Sequence, residues 1–276
     1  MWLHAVSWPT GNLTTEPKAH GFFVRFDIIT LFPELFEPFL KSGVTRRAYE
    51  SGQVQVRLWN PRDYAEGNYR RVDDRPFGGG PGMVMLAQPL ADCLAAIRAD
   101  RGQGRDVAPL VLFSPIGQTL NHSAVQSWAN SEGAVLLCGR YEGIDQRFID
   151  AYVDAQISVG DFVLSGGELP AMTLLDAVAR LQPGVLNDEG SHQLDSFNPA
   201  LDGLLDCPHY TRPEQWQERS VPAALLSGHH AQIERWRRDQ QLSLTQSLRP
   251  DLIDQARTAG RLSTLDEAVL KGEKTL

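Results

Sequence analysis

Four short apolar runs, separated by stretches with helical spacing, constrain this chain more than any other feature. They are "VRFDIIT" (Val24 to Thr30), "VQVRLW" (Val54 to Trp59), "PLVLFS" (Pro109 to Ser114) and "AVLLCG" (Ala134 to Gly139). Each has the length and apolar content of a buried strand. Between them the pattern predicts helices, including "QPLADCLAAIRAD" from Gln88 and "NHSAVQSWAN" from Asn121. Strands that alternate with helices imply an α/β domain with a largely parallel sheet, because parallel neighbours need a crossover connection. "YVDAQISVGDFVLSG" (Tyr152 to Gly166) supplies at least one more strand.

The chain has 276 residues, 42% hydrophobic and 22% charged, enough for one large domain or two ordinary ones. No apolar run approaches the roughly 18 residues of a membrane span. The opening "MWLHAVSWPTGNLTTEPKAHGFF" lacks a basic segment followed by a continuous apolar one, so it is a poor signal peptide. Residues 1–23 are expected to be a disordered extension ahead of the fold. Three cysteines (Cys93, Cys138, Cys207) without a Cys-x-x-Cys pair suit a reducing cytoplasm. A net charge of −8 disfavours indiscriminate coating of nucleic acid but leaves room for a local basic patch.

The character of the chain changes after Leu181. A polar, turn-rich segment follows, with an interdomain linker placed at 184–198. Residues 199–276 then read as a helical domain, with Arg235, Arg237 and Arg238 clustered around Trp236.

Candidate chemistry concentrates in glycine-rich turns. "GDFVLSGGELPAMTLLDAVARL" (Gly160 to Leu181) reads as an apolar strand, a glycine pair and a helix. "RPFGGGPGMVM" (Arg75 to Met85) has no Lys-Ser/Thr after its last glycine, so it is not a P-loop. It also follows a charged loop instead of a strand, which excludes the dinucleotide fingerprint and leaves a nicotinamide-dependent oxidoreductase without support. Upstream, "NYRRVDDRP" holds Arg70, Arg71, Asp73, Asp74 and Arg75, a mixed-charge run that can equally be a solvated surface. "LLCGRYEGIDQRF" and "VLFSPIGQ" each break an apolar strand into glycine, serine or proline. Ligands in α/β sheets sit beyond the carboxyl ends of strands, so three such breaks suggest one shared pocket. The histidines have no zinc spacing and no G-x-S-x-G is present, so neither a metal centre nor a hydrolase nucleophile is indicated.

Taken together, these segments resemble the bacterial tRNA (guanine-N1)-methyltransferases of the TrmD family. The resemblance is carried by "DIITLFPELF", "VDDRPFGGGPGMVM", "SPIGQ", "CGRYEGID", "SVGDFVLSGGELPAMTLLDAVARLQPGVL", "DSF", "GLLDCPHYTRP" and "VPAALLSGHHAQIERWR", in that order between Phe26 and Arg238. It implies a SPOUT-class fold over 24–183, with a deep trefoil knot at the cofactor site. It also implies a cytoplasmic homodimer whose active site is built at the subunit interface, and a C-terminal domain that clasps tRNA. A SPOUT methyltransferase with another RNA target, or a silent RNA-binding relative, are the competing readings.

The resemblance further implies residue roles. The cofactor is S-adenosylmethionine, held by Leu112, Phe113, Ser114, Pro115, Gly139, Tyr141, Gly143, Ser158, Val159, Gly160, Phe162, Leu164, Gly166, Gly167 and Pro170. Methylation of guanine N1 requires loss of its proton, a task suited to a carboxylate, while a guanidinium can stabilise charge near O6. These roles fall to Asp195 and Arg180, with Asp188 and Glu189 as rival carboxylates. Glu142 is tied to activity through a required Mg2+, and Asp73 and Gly82 lie against the target base. Arg212, Arg237 and Arg238 are the tRNA contacts. The expected target is the guanosine just 3′ of the anticodon.

Overall fold

The computed structural model describes residues 23–102, 108–187 and 192–273, and the chain divides into two compact units, residues 1–186 and 187–276. The expected N-terminal extension and the rivals Asp188 and Glu189 lie outside the described residues, apart from Phe23.

The first unit is built on a five-stranded sheet. Its strands are β1 (Val24–Ile29), β2 (Val54–Trp59), β5 (Leu110–Thr119), β6 (Gly133–Leu137) and β8 (Ala155–Ser158), in the order β2-β1-β6-β5-β8. All four pairings are parallel. A second sheet joins three two-residue strands, β3 (Asp73–Asp74), β4 (Val84–Met85) and β7 (Gly143–Ile144). The helices are α1 (Phe36–Leu40), α2 (Arg46–Glu50), α3 (Ala87–Arg101), α4 (His122–Ala129), α5 (Gln146–Tyr152) and α6 (Glu168–Ala179).

Alternation along the strands divides the core between two faces, as a pleat of period two requires. Phe26, Ile28, Val111, Ala134 and Leu136 pack with Trp128 of α4 and with Leu174, Leu175 and Val178 of α6. Ile29, Leu110, Leu112, Val135 and Leu137 face Leu90, Leu94 and Ile97 of α3 and Phe148 of α5. Burial on both faces explains why these strands read as continuous apolar runs. Asp27 is the exception within β1. Its fully buried carboxylate accepts from Arg25 Nη2 at 2.8 Å, Arg101 Nε at 2.6 Å and Trp59 Nε1 at 2.8 Å, tying α3 and β2 to β1.

Two sequence expectations change in detail. The third strand runs on to Thr119, and both Phe113 and Gln118 sit opposite Ile157, so residues 114–117 bulge out of the ladder. The apolar stretch "DFVLS" is not a strand. The chain turns at Gly160 (φ +137°), whose N–H donates to Ser158 Oγ at 3.1 Å, and Phe162 and Val163 are exposed. The last strand is therefore β8, which precedes that turn.

The second unit contains a short antiparallel pair, β9 (Gln215–Trp216) and β10 (Arg219–Ser220). The helices α7 (Ala223–Leu226), α8 (His230–Leu248), α9 (Pro250–Thr258) and α10 (Thr264–Leu270) follow. Leu204, Leu242, Ile253, Ala256 and Leu270 form its small core. Ser263 and Asp266 make a capping box at α10, and Asp266 also receives Arg238 of α8 at 3.0 Å.

Candidate cofactor and substrate site

The bulge of β5 and the carboxyl ends of β6 and β8 open into a cavity of about 450 Å³. All fifteen residues expected to hold the cofactor line it, drawn from the 112–115, 139–143, 158–167 and Pro170 segments. Its volume is that of a small-molecule site. The bulge in β5 supplies one wall and the turn after β6 another. The third runs through the Gly160 turn to the start of α6.

Glycine at 166 and 167 answers to close approach. A Cβ on Gly167 would fall 2.6 Å from Cys138 Cα, so α6 begins in backbone contact with the residue after β6. At Gly166 a Cβ would fall on the Arg140 guanidinium. Gly167 N–H donates to Gly139 O at 3.0 Å, bonding the two glycine walls together. Beneath them, burial pushes the Cys138 thiol well above its ordinary value, with the Glu168 carboxylate adding to the effect. That thiol is inert packing and no nucleophile.

The small sheet brings the expected substrate loop to this cavity. Val84 pairs with Gly143 and Met85 with both Ile144 and Asp73. Glu142 N–H donates to Met83 O at 3.0 Å. A Cβ on Gly82 (φ +77°) would lie 2.6 Å from Glu142 Oε1, so the glycine-rich loop folds directly against that carboxylate. Tyr141 takes up a left-handed conformation (φ 63°), which is uncommon outside glycine and asparagine. Its phenol lies within the field of Asp73 and Arg62. Partial burial and the Asp73 carboxylate raise its pKa, against the opposing pull of Arg62. Arg62 and Glu168 were not among the residues singled out from the sequence. Glu168 directly follows the Gly166-Gly167 pair, whereas Arg62, after Asn60-Pro61, carried no such mark.

Arg180 caps the C-terminus of α6 and is half-buried. Asp195 belongs to the second unit, in a turn where its carbonyl accepts from Asn198 N–H at 3.2 Å. That turn is held by Asn198, whose amide donates to His192 O at 2.9 Å and accepts from Ala200 N–H at 2.9 Å. Among the described residues no cluster of three or more His, Cys, Asp or Glu side chains could hold a metal. No helix among them is long and apolar enough to cross a membrane.

In the second unit a groove of about 640 Å³ is lined by Tyr210, Arg212, Trp236 and Arg237, with the two rings edge to face at 6.1 Å. Arg238 turns elsewhere, bonded to Asp266 and to Asp202 at 2.8 Å. Arg235 is paired with Asp239.

A family model described as tRNA (Guanine-1)-methyltransferase TrmD matches residues 24–255. The chain belongs to the TrmD family. It is 77% identical over 248 residues to a tRNA (guanine-N(1)-)-methyltransferase of Paracidovorax citrulli, covering 90% of this chain and 97% of that one. To the protein of the same name from Polaromonas sp. it is 73% identical, over 90% of this chain and 96% of the other. To that of Bordetella parapertussis it is 55% identical, over 90% and 97%. Membership makes the chain an enzyme of a methyltransferase family.

Proposed function

We propose that the protein transfers a methyl group from S-adenosylmethionine to N1 of the guanosine 3′-adjacent to the anticodon in tRNA. It does so in the cytoplasm, as a homodimer with a knotted cofactor site at the subunit interface. The observation that carries this reading is the convergence of four separate segments on one cavity, beside the loop of Asp73 and Gly82. The residues there suit the cofactor. Bare backbone at Gly139, Gly166 and Gly167 leaves room for a flat adenine to be hydrogen-bonded along its edge. The wall has no cluster of cations such as a phosphate-bearing cofactor would need. The tight passage of α6 past Cys138, and of Gly117 past the Gln156–Ile157 backbone, supports a threaded chain.

When bound, the cofactor supplies an electrophilic methyl group. The chain's own residues do the rest. Asp195 accepts the N1 proton, and Arg180 stabilises negative charge at O6. Glu142 would offer a single carboxylate to the Mg2+ that activity is expected to need, an ion that ordinarily keeps several waters and takes few protein ligands. Asp73 and Gly82 pack against the guanine. The exposed apolar side chains Ile116, Val163 and Leu169 belong to the surface a second copy covers. Arg212 and Arg237 contact tRNA phosphates; Arg238 instead ties α8, which carries Arg237, to Asp266 of α10 and to Asp202.

The test is methyl transfer from labelled S-adenosylmethionine, with magnesium, to a tRNA transcript carrying two guanosines after the anticodon's second base. Wild type labels it; Asp195→Ala does not, yet still binds cofactor; Asp188→Ala remains active. A wild-type protein that binds cofactor but leaves this tRNA unlabelled would place the enzyme on another RNA. Activity in both variants would put the base elsewhere.

A further inference from the structure

Arg140 and Glu168 stand apart from every role assigned above. Arg140 is the cation of the cavity wall, and Glu142 is the acid. Directly behind Arg140 lies Glu168, the first residue of α6, only 1% exposed. Its Oε2 is 2.9 Å from Arg140 Nη2, and its Oε1 accepts from Thr30 Oγ1 at 2.8 Å. Thr30 follows β1, and its Oγ1 accepts in turn from Phe32 N–H at 3.0 Å. Arg140 is held on its other sides as well. Its Nη1 donates to Ser165 O at 3.1 Å, and its guanidinium carbon sits 4.5 Å from the centre of the Phe32 ring. The guanidinium thus crosses Gly166 and forms part of the cavity wall.

The geometry points to Glu168 as the residue that sets the charge of the cofactor cavity by neutralising Arg140 in its wall. This rests on the cavity taking S-adenosylmethionine. That molecule carries a sulfonium, an ammonium and a carboxylate, so it is a net cation, whereas its demethylated product S-adenosylhomocysteine is neutral overall. The Glu142 carboxylate lies against Gly82, so without Glu168 the Arg140 guanidinium would lose its paired counter-charge, repel the methyl donor and spare the product. Glu168 cancels that repulsion from the protected side, where water cannot screen it. It is a positioning residue, because it acts on the cofactor only through Arg140.

The charge argument makes a comparison that packing alone would not. Calorimetric titration with S-adenosylmethionine and with S-adenosylhomocysteine is run on wild type, Glu168→Gln, Arg140→Gln and the double variant. In Glu168→Gln the methyl donor loses about fivefold more affinity than the product does, and the gap narrows as salt is raised. KM for the donor rises while KM for tRNA holds. Arg140→Gln moves the donor-to-product ratio the other way, and the double variant returns it close to wild type. Equal losses for donor and product in a folded Glu168→Gln would overturn the inference. If that variant does not fold by circular dichroism, an unshifted ratio in Arg140→Gln overturns it instead. A wild-type protein that binds neither molecule removes the cofactor reading, and this inference goes with it.

Discussion

Asp27 shows how much of this fold depends on single buried atoms. Its carboxylate is fully buried and meets two guanidinium groups that are themselves nearly covered, at 12% and 16% exposure. Removing the acid leaves Arg25 with Asp100 alone and takes the Asp27 carboxylate from Arg101 in a poorly solvated place, which costs more than the pair contributes when intact. Asp27→Ala is therefore expected to destabilise the first unit by about 3–5 kcal/mol in urea unfolding. Gly167 offers a second case, because the clash there is with backbone and no rotamer change relieves it. Gly167→Ala should cost about 1–3 kcal/mol of stability and weaken S-adenosylmethionine binding in the same titration. A fully stable Gly167→Ala that binds normally would show that α6 can retreat from Cys138. Both residues sit in the sequence without any signal of their own: an acid inside an apolar run and one glycine of a pair.

At the scale of elements, what was legible followed from length and periodicity. β1, β2, β6 and the start of β5 are apolar runs bounded by turn residues, and α3 and α4 follow their spacing to within a few positions. The second sheet was invisible, because strands of two residues are too short to show any period. Yet it is that sheet which carries Asp73 and Gly82 to Glu142. "DFVLS" misled because apolar composition cannot distinguish a buried strand from a turn whose side chains project outward. Capping and pairing at α10 lead to a pH prediction. Burial raises the Asp266 pKa, but bonds from Arg238 and Ser263 outweigh it and hold the carboxyl below its ordinary 3.8. A lowered folded-state pKa contributes stability that is present above the unfolded value and is lost as pH falls through the folded one. Acid should therefore loosen the second unit below about pH 4, and Asp266→Asn should flatten that dependence while lowering stability at pH 7. Circular dichroism melts from pH 7 to pH 2.5 read both effects; parallel curves for the two proteins would refute the assignment.

For the whole molecule, net charge and surface character pull in different directions. A chain of −8 that binds tRNA must do so through a local patch, and the groove of Tyr210 and Trp236 carries Arg212 and Arg237 beside aromatic faces. Removing one arginine that meets a phosphate should shrink the salt slope of tRNA binding by about one. Arg212→Ala and Arg237→Ala are expected to do so in filter binding, whereas Arg238→Ala should instead lower the melting temperature, since its guanidinium is engaged by Asp266 and Asp202. The apolar rim of the cofactor cavity makes the complementary argument for self-association. Ile116 is 85% exposed and Val163 84%, and both line the cavity. Two such side chains on neighbouring loops have no local partner to bury them, and a second copy of the same surface would cover them by two-fold symmetry. Charge on that rim, as in Val163→Glu, is expected to turn a dimer into a monomer in sedimentation velocity and to abolish methyl transfer, with the far-ultraviolet spectrum unchanged. A Val163→Glu protein that sediments as a dimer would move the interface elsewhere. One that is monomeric and fully active would show that each copy completes its own site.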